Sequence, residues 1–257
     1  MLLAIDNGNT NVVFGVYDGD TALGTWRCQT DVKRTADEYA VWLTQLMALK
    51  GLKPEDVSAS IIASVVPGAL FNLITLCRRY FGREPVVIGA EGVELGMQLL
   101  IDHPEQAGAD RLVNAVAAQK HYGGPAVIID FGTATTFDVI DADGNFRGSA
   151  FAPGINLSME ALYMAAARLP RIEIKPTETI IGKATVPAMQ SGIYWGYVGM
   201  IEGLVARIRD EFGAPMKVYA TGGLAALFDQ ATEVFDIVDP ELTMKGLVEI
   251  HRRNRAA

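Results

Sequence analysis

Cysteine is scarce in this sequence: Cys28 and Cys77 are the only two among 257 residues. They lie far apart, and neither belongs to a CxxC pair. This spacing indicates neither a zinc site nor a disulfide framework. We therefore expect two reduced thiols, as in a cytoplasmic protein.

Positive charge is also in short supply, with 22 lysines and arginines against 30 aspartates and glutamates and a formal net charge of −8. Proteins that bind nucleic acid derive much of their affinity from clustered basic residues. The composition therefore argues against a nucleic-acid partner. A local phosphate pocket is still compatible with it, because backbone N–H groups and helix N-termini bind anions without net positive charge.

The sequence lacks an uninterrupted apolar run of membrane-spanning character. Residues 57–77 carry no charge, but three serines, a Pro-Gly pair and Asn72 interrupt them. We interpret this stretch as a buried strand over 61–66, a turn, and a helix that continues to Tyr80. The first ten residues have no basic region typical of a signal peptide, so we expect no membrane partner and a cytoplasmic location.

The remaining pattern of the first half is that of a mixed α/β layer. Apolar runs over 2–5 and 12–17 flank a polar, glycine-bearing loop, which is typical of a β-hairpin. A second turn at 18–20 and a strand over 21–28 extend the hairpin to a predicted three-stranded meander. A helix follows over 37–50, and a last strand is predicted over 85–88 after the strand and helix already named. Paired strands followed by alternating helices and strands predict one mixed sheet flanked by helices.

The second half repeats the opening of the first. Residues 126–144 have the same order of apolar strand, Asp-x-Gly, small polar run and return strand, so that Asp6 aligns with Asp130 (130 − 6 = 124) and Gly8 with Gly132. The repeat predicts two domains of one fold, over 1–115 and 116–257. A chance match of so short a pattern is the alternative.

Both repeated loops are candidates for phosphate binding. Gly8 allows the backbone N–H groups of its loop to approach phosphate oxygens closely, and Asp6 is suited to hold Mg²⁺, directly or through water. An ordinary hairpin turn with a capping aspartate is the alternative. The second loop offers three hydroxyl groups for the same purpose, those of Thr133, Thr135 and Thr136.

Between the loops, a glycine turn leads into a helix at residues 108–115. This helix start places Asp110 and Arg111 at an exposed N-terminal end, where a carboxylate is also a good capping group. Further along, residues 184–201 carry no charge and have apolar side chains on nearly every face, which predicts a helix buried all round. Its cover is either the chain's own core or a partner subunit.

Taken in order, these motifs resemble the type III pantothenate kinases of the actin-like ATPase and sugar kinase superfamily. The resemblance rests on Ile-Asp-x-Gly-Asn-Thr-Asn from Ile5, Gly-Ala-Asp-Arg from Gly108, Asp-Phe-Gly-Thr-Ala-Thr-Thr from Asp130 and the turn at 221–223. It extends over essentially the whole chain. It implies two ribonuclease H-like domains, each a mixed sheet flanked by helices, with the active site in the cleft between them.

The resemblance also implies roles for individual residues. Asp110 is expected to be the catalytic base and, with Gly108, Ala109, Arg111 and Thr185, to bind the substrate. Asp130 is expected to hold a monovalent cation, K⁺ or NH₄⁺, and Asp6 to hold Mg²⁺. The expected ATP-binding residues are Asp6, Asn7, Gly8, Asn9, Thr10, Asn11, Val12, Val13, Thr133, Gly222 and Gly223.

The function so implied is ATP-dependent phosphorylation of pantothenate to 4'-phosphopantothenate, the first step of coenzyme A biosynthesis, by a homodimer. Two other hypotheses remain at this point. One is another kinase or a phosphatase of the same fold, and the other is a nucleotide-binding transcriptional accessory factor without catalysis. The absence of a basic helix disfavours direct contact with DNA.

Overall fold

The chain forms two compact units in a computed structural model that describes residues 1–165 and 169–255. Residues 1–122 and 241–255 make the first unit, and residues 123–240 make the second. Within the described residues, no helix combines the length and the apolar character needed to cross a bilayer. In chain order the strands and helices are β1 (Leu2–Asn7), β2 (Asn11–Asp18), β3 (Thr21–Gln29), α1 (Ala36–Ala48), β4 (Ala59–Ser64), α2 (Pro67–Tyr80), β5 (Pro85–Val87), α3 (Ala109–His121), β6 (Ala126–Phe131), β7 (Ala134–Ile140), β8 (Phe146–Pro153), α4 (Ile155–Ala165), α5 (Thr185–Phe212), β9 (Lys217–Thr221), α6 (Ala225–Phe228), β10 (Ile237–Val238) and α7 (Leu242–Arg253).

The first unit contains a five-stranded mixed sheet in the order β3-β2-β1-β4-β5. The first three strands form the antiparallel meander, and β4 and β5 join it in parallel. Its predicted strands and helices are confirmed, with ends within two residues of those expected. The side chains of β1 alternate between the two faces of this sheet. Leu3 and Ile5 pack with α1 and α2, whereas Leu2 and Ala4 pack with α3 and α7.

Two helix starts in this unit have clear local causes. Thr35 caps α1 in a capping box, in which its hydroxyl accepts from the backbone N–H of Glu38 (3.3 Å) and the Glu38 carboxylate accepts from the backbone N–H of Thr35 (2.8 Å). Pro67 begins α2 at a position where its missing N–H costs nothing. The turn that follows β4 therefore ends where α2 begins, at Pro67.

The second unit repeats the sheet of the first, in the order β8-β7-β6-β9-β10. The strands correspond one to one, with β6 antiparallel to β7 and parallel to β9. The predicted repeat is thus confirmed, but its offset changes within the loop. Residues 8–11 separate the paired Asn7 and Val12, whereas only residues 132–134 separate the paired Phe131 and Thr135. The second phosphate loop is one residue shorter.

The long helix α5 packs on the second sheet through one face only. Tyr194, Tyr197, Val198 and Ile201 are buried in the core of this unit, with residues of β6, β9 and α6. Its other face is exposed at three glycines, at positions 192, 196 and 199. The expectation that 184–201 is buried all round is therefore wrong within a single chain, because the sheet covers only one side of a helix.

The two compact units do not share the bounds 1–115 and 116–257 expected from the repeat. Helix α3 continues past residue 115, and α7 returns to the first unit. There Gly246 lies against the backbone of Val113, and the Thr243 hydroxyl donates to Asn114 Oδ1 (2.7 Å). Helix α7 packs in the first unit because its apolar face is buried there, although it follows the second sheet in the chain.

Candidate functional site

The first phosphate loop is braced by the segment that follows β3. The backbone N–H of Gly8 donates to the carbonyl of Asn11 (3.0 Å), which closes the turn. Thr30 holds it from outside, since its backbone N–H donates to the carbonyl of Thr10 (2.9 Å) and its hydroxyl donates to the carbonyl of Gly8 (2.6 Å). The loop therefore has a fixed shape before any ligand binds.

The other side of this loop is anchored to β4. Asn7 is fully buried, and its side-chain N–H group donates to the Ser64 hydroxyl (2.8 Å), while its backbone carbonyl accepts from the backbone N–H of Val65 (3.1 Å). Val12 is also fully buried. Of the expected ATP-binding residues, these two are therefore buried, whereas Asn9, Thr10 and Asn11 are exposed.

Asp6 lies on the face of the first sheet that carries α3. Side chains alternate along β1, so Asp6 lies on the same face of the sheet as Ala4 and on the opposite face from Asn7. The side chain of Ala4 packs in one cluster with Ala63 and Ala109. Ala109 is the first residue of α3. Asp6 and the start of α3 therefore share one face at one edge of the sheet.

The glycine turn before α3 touches the turn after β4. A Cβ atom on Gly108 would lie 3.7 Å from a methyl group of Val65 and only 2.8 Å from Asp110 Oδ1. The same Asp110 oxygen accepts from the backbone N–H of the next residue, Arg111 (2.8 Å), whereas the N-cap position of α3 is Gly108 and has no side-chain cap. Since the backbone N–H of Val65 donates to the backbone carbonyl of Asn7, the structure brings residues 108–111 beside the first phosphate loop.

The second loop presents one of its three hydroxyl groups. Thr133 is exposed, and its carbonyl accepts from the backbone N–H of Gly154 (3.2 Å). Thr135 is fully buried and hydrogen-bonded to the Tyr197 hydroxyl, and the Thr136 hydroxyl donates to the Asp138 carboxylate (3.1 Å). The expected cradle of three hydroxyls is thus wrong for Thr135 and Thr136, because these consecutive side chains point to opposite faces of β7 and both faces are covered there.

Asp130 lies against the glycine turn after β9. It is directly paired with Thr221 in the parallel register, and a Cβ atom on Gly222 would lie 2.5 Å from Asp130 Oδ1 and 2.7 Å from the backbone nitrogen of Phe131. Gly222 also has a φ of +91°. Only glycine fits this position without strain, whereas Gly223 has open space around it.

Thr185 is the exposed first residue of α5 in the second unit. The preceding Gly182 lies against the backbone of Ala188, so the loop folds closely over the helix start. No group of three or more histidine, cysteine, aspartate or glutamate residues in the described part of the chain is arranged to hold a metal by itself. A cation bound at Asp6 or Asp130 would therefore depend on other oxygen ligands as well.

These motifs belong to a recognised family, since a family model described as type III pantothenate kinase matches residues 2–207. The chain belongs to the type III pantothenate kinase family. Type III pantothenate kinases of Paramagnetospirillum magneticum and Rhodospirillum rubrum are 66% and 62% identical to it. Each alignment covers 99% of this chain, and they cover 98% and 99% of the two relatives.

Solved structures share the fold of this pantothenate kinase family member at low sequence identity. A Campylobacter jejuni protein described as a Baf family transcriptional activator has a TM-score of 0.62 at 18% identity, with 99% of this chain and 100% of that chain covered. A Sinorhizobium meliloti protein described as a 2-dehydro-3-deoxygalactonokinase has a TM-score of 0.61 at 13% identity, with 100% and 98% covered. The predicted class of two mixed sheets, each flanked by helices, is confirmed.

Some residues that support the site of this family member have no obvious sequence signal. Thr30 follows a predicted strand, and only the register of the meander places it beside the loop. Ser64 belongs to a recognisable Ser-Val-Val-Pro segment, but its bond to Asn7 depends on the parallel pairing of β1 with β4. Tyr197 is one of several aromatic residues in α5, and nothing in its sequence context indicates its contact with Thr135.

We predict that Gly222→Ala lowers the free energy of unfolding by about 1–3 kcal/mol, because the new methyl group meets Asp130 and the backbone at a positive φ. Gly223→Ala is the matched control, and its melting temperature should stay near that of the parent. Thermal unfolding followed by circular dichroism measures both. Equal melting temperatures for the two variants would contradict the crowding seen at Gly222.

Proposed function

We propose that this protein transfers the γ-phosphoryl group of ATP to the terminal hydroxyl of pantothenate, giving 4'-phosphopantothenate, the first step of coenzyme A biosynthesis. Full-length identity of 66% to a type III pantothenate kinase supports this activity. The observation that carries it is the proximity of the 108–111 turn to Val65, whose backbone N–H donates to Asn7 at the start of the first phosphate loop. An acceptor-binding turn beside a phosphate-binding loop is what phosphoryl transfer between two substrates requires.

In this proposal Asp110 orients the acceptor hydroxyl and takes its proton. Phosphoryl transfer passes through a loose transition state in which positioning matters more than the strength of the base. The Asp110 carboxylate is suited to positioning, because its Oδ1 is already held by the backbone N–H of Arg111. Arg111 anchors a polar end of pantothenate, Gly108 and Ala109 shape the wall, and Thr185 adds a substrate contact.

ATP is bound by backbone and small side chains. Residues 6–13 supply N–H groups and short polar side chains around Gly8, and the bracing by Thr30 favours a loop that is ready for phosphate. Thr133 supplies the exposed hydroxyl of the second loop, and Gly222 and Gly223 form the adenosine turn. A net charge of −8 is compatible with such a site, because backbone N–H dipoles rather than lysine side chains bind the phosphate groups.

The carboxylates present fit the two expected cations in chemical type. Mg²⁺ prefers oxygen ligands and is commonly held by one or two carboxylates together with the phosphates of the substrate. Asp6 supplies such a carboxylate, directly or through water, and Asp130, packed against Gly222, supplies oxygen for K⁺ or NH₄⁺. When bound, these cations neutralise phosphate charge. The chain's own part is to hold the two carboxylates on fixed strand ends.

We also propose a cytoplasmic homodimer. The second unit exposes large apolar side chains on α4 and on the segments around it, and the glycine-bearing face of α5 is likewise uncovered. Exposed apolar area of this kind favours a partner subunit. The side chains are Phe151, Leu157, Leu162, Met164, Ile180, Ile181 and Val186.

The activity predicts ADP release that depends on pantothenate. In K⁺ buffer, a coupled assay should show ADP formation rising with added pantothenate, and Na⁺ in place of K⁺ should lower the rate. ADP release that is the same with and without pantothenate would indicate an ATPase or phosphatase. No ADP release under any condition, with ATP still bound, would favour the nucleotide-binding factor.

Asp110→Asn should lower kcat by about 10² or more, because the amide retains the shape but cannot accept the hydroxyl proton. Affinity for ATP, measured by calorimetry, should be retained. Asp102→Asn is the matched control, since Asp102 is exposed in the loop upstream and has no proposed role. Turnover of Asp110→Asn near that of the control would remove Asp110 from the mechanism.

If the protein is a homodimer, light scattering should give a mass of twice 27.7 kDa. Ile181→Asp should shift the protein toward the monomer, because it places a charge among the exposed apolar side chains of the second unit. Leu49→Asp is the control: Leu49 and Ile181 are both 82% exposed, but Leu49 lies on the first unit. A monomeric parent protein, or equal effects of the two variants, would contradict this interface.

A further inference from the structure

Tyr197 contacts both strand ends that carry the second phosphate loop. Phe131 and Thr135 are directly paired at the last register position of β6 and β7, and residues 132–134 form the loop between them. The Tyr197 hydroxyl is hydrogen-bonded to the Thr135 hydroxyl, and the two rings of Tyr197 and Phe131 lie 6.3 Å apart between centroids. One side chain of α5 therefore touches the residue before the loop and the residue after it.

The contact is shielded from water. Tyr197 is 5% exposed and Thr135 is 0% exposed. Burial raises the pKa of the Tyr197 hydroxyl, and the hydrogen bond with Thr135 offsets part of that rise. The bond between these two buried hydroxyl groups is a strong local constraint, because breaking it leaves buried polar groups unsatisfied.

The segment that follows β8 supports the loop from the other side. Ile155 begins α4 directly after Gly154. Gly154 donates its N–H to the Thr133 carbonyl (3.2 Å), and a Cβ atom there would collide with that carbonyl and with Gly132. The position of Thr133 thus depends on the backbone of Gly154 as well as on the strand ends that Tyr197 contacts.

The ring of Tyr197 is itself held in place. It is stacked on Phe228 with 5.1 Å between centroids, and Phe228 is stacked on Phe131 at 5.3 Å. Aromatic contacts of this kind fix the plane of a ring. The direction of the hydroxyl group is then fixed as well.

We infer that Tyr197 is a positioning residue for ATP, whose hydroxyl bond to Thr135 sets the shape of the 132–134 loop and so the position of Thr133. The inference rests on the proposed function, in which Thr133 contacts ATP. Interactions with a transferring phosphate depend steeply on placement, so a small shift of the loop is expected to be costly. The competing explanation is an ordinary core tyrosine, which would affect stability and nothing else.

Tyr197→Phe tests the hydroxyl while keeping the ring. We expect kcat/KM for ATP to fall about tenfold, with KM for pantothenate unchanged. Tyr194→Phe is the matched control. Tyr194 is 2% exposed on the same helix, and its hydroxyl donates to the carbonyl of Leu227 (3.2 Å) rather than to the loop strands. It should lower the melting temperature as much as Tyr197→Phe does, with kcat/KM for ATP retained.

The partner residue gives an independent test. Thr135→Val, which removes the hydroxyl at nearly constant shape, should reproduce the loss of Tyr197→Phe, and Thr135→Ser, which restores a hydroxyl, should recover most of it. In the double variant Tyr197→Phe with Thr135→Val, the loss should be no larger than in either single variant, because one bond has been removed. Additive losses would overturn the inference.

Direct titration with ATP separates this inference from the proposed function. Weaker ATP binding by Tyr197→Phe than by Tyr194→Phe supports the positioning role even if the parent protein does not phosphorylate pantothenate. Equal ATP binding and equal kinetics in the two variants, at equal loss of melting temperature, would show Tyr197 to be a core residue and would overturn the inference.

Discussion

The parallel pairing of the first strand of each sheet with the fourth is the constraint on which the rest of the structure depends. In parallel strands the carboxyl ends lie at the same edge, so the hairpin loop after one strand and the turn after the other are neighbours. In the first sheet this pairing sets Asp6 beside Ala63, and in the second it sets Asp130 beside Thr221. The candidate phosphate loops and the turns that support them follow from this register.

The two halves hold equivalent loops by different chemistry. Asn7 and Phe131 occupy corresponding positions, one after the aspartate of each loop. Asn7 is fully buried, and its buried side-chain N–H group requires an acceptor, which the Ser64 hydroxyl provides. Phe131 instead stacks in an aromatic group, and the side-chain hydrogen bond to Thr135, directly after that loop, comes from Tyr197 of the long helix α5. The repeated backbone therefore does not require repeated side chains.

The last helix shows that packing overrides chain order. Helix α7 follows the second sheet in the chain but covers the first, where its apolar residues complete the cluster around α3. The contact is close because Gly246 has no side chain to separate it from Val113. The first unit is thus closed by both ends of the chain, and the start of α3, which carries Asp110, lies on a face that α7 helps to cover.

The sequence by itself determined the strands and helices of the first sheet, the repeat, and the motifs at Asp6, Asp110 and Asp130, because apolar periodicity and glycine-bearing turns are local properties. Tertiary structure decided which hydroxyls of the second loop are accessible: Thr133 is exposed, while Thr135 is turned toward Tyr197. It also decided the bracing of the first loop by Thr30 and Ser64, and the return of α7. Each of these is a contact between residues distant in the chain, set by strand register and by which face of an element finds a partner, and neither quantity is encoded within a short stretch of sequence.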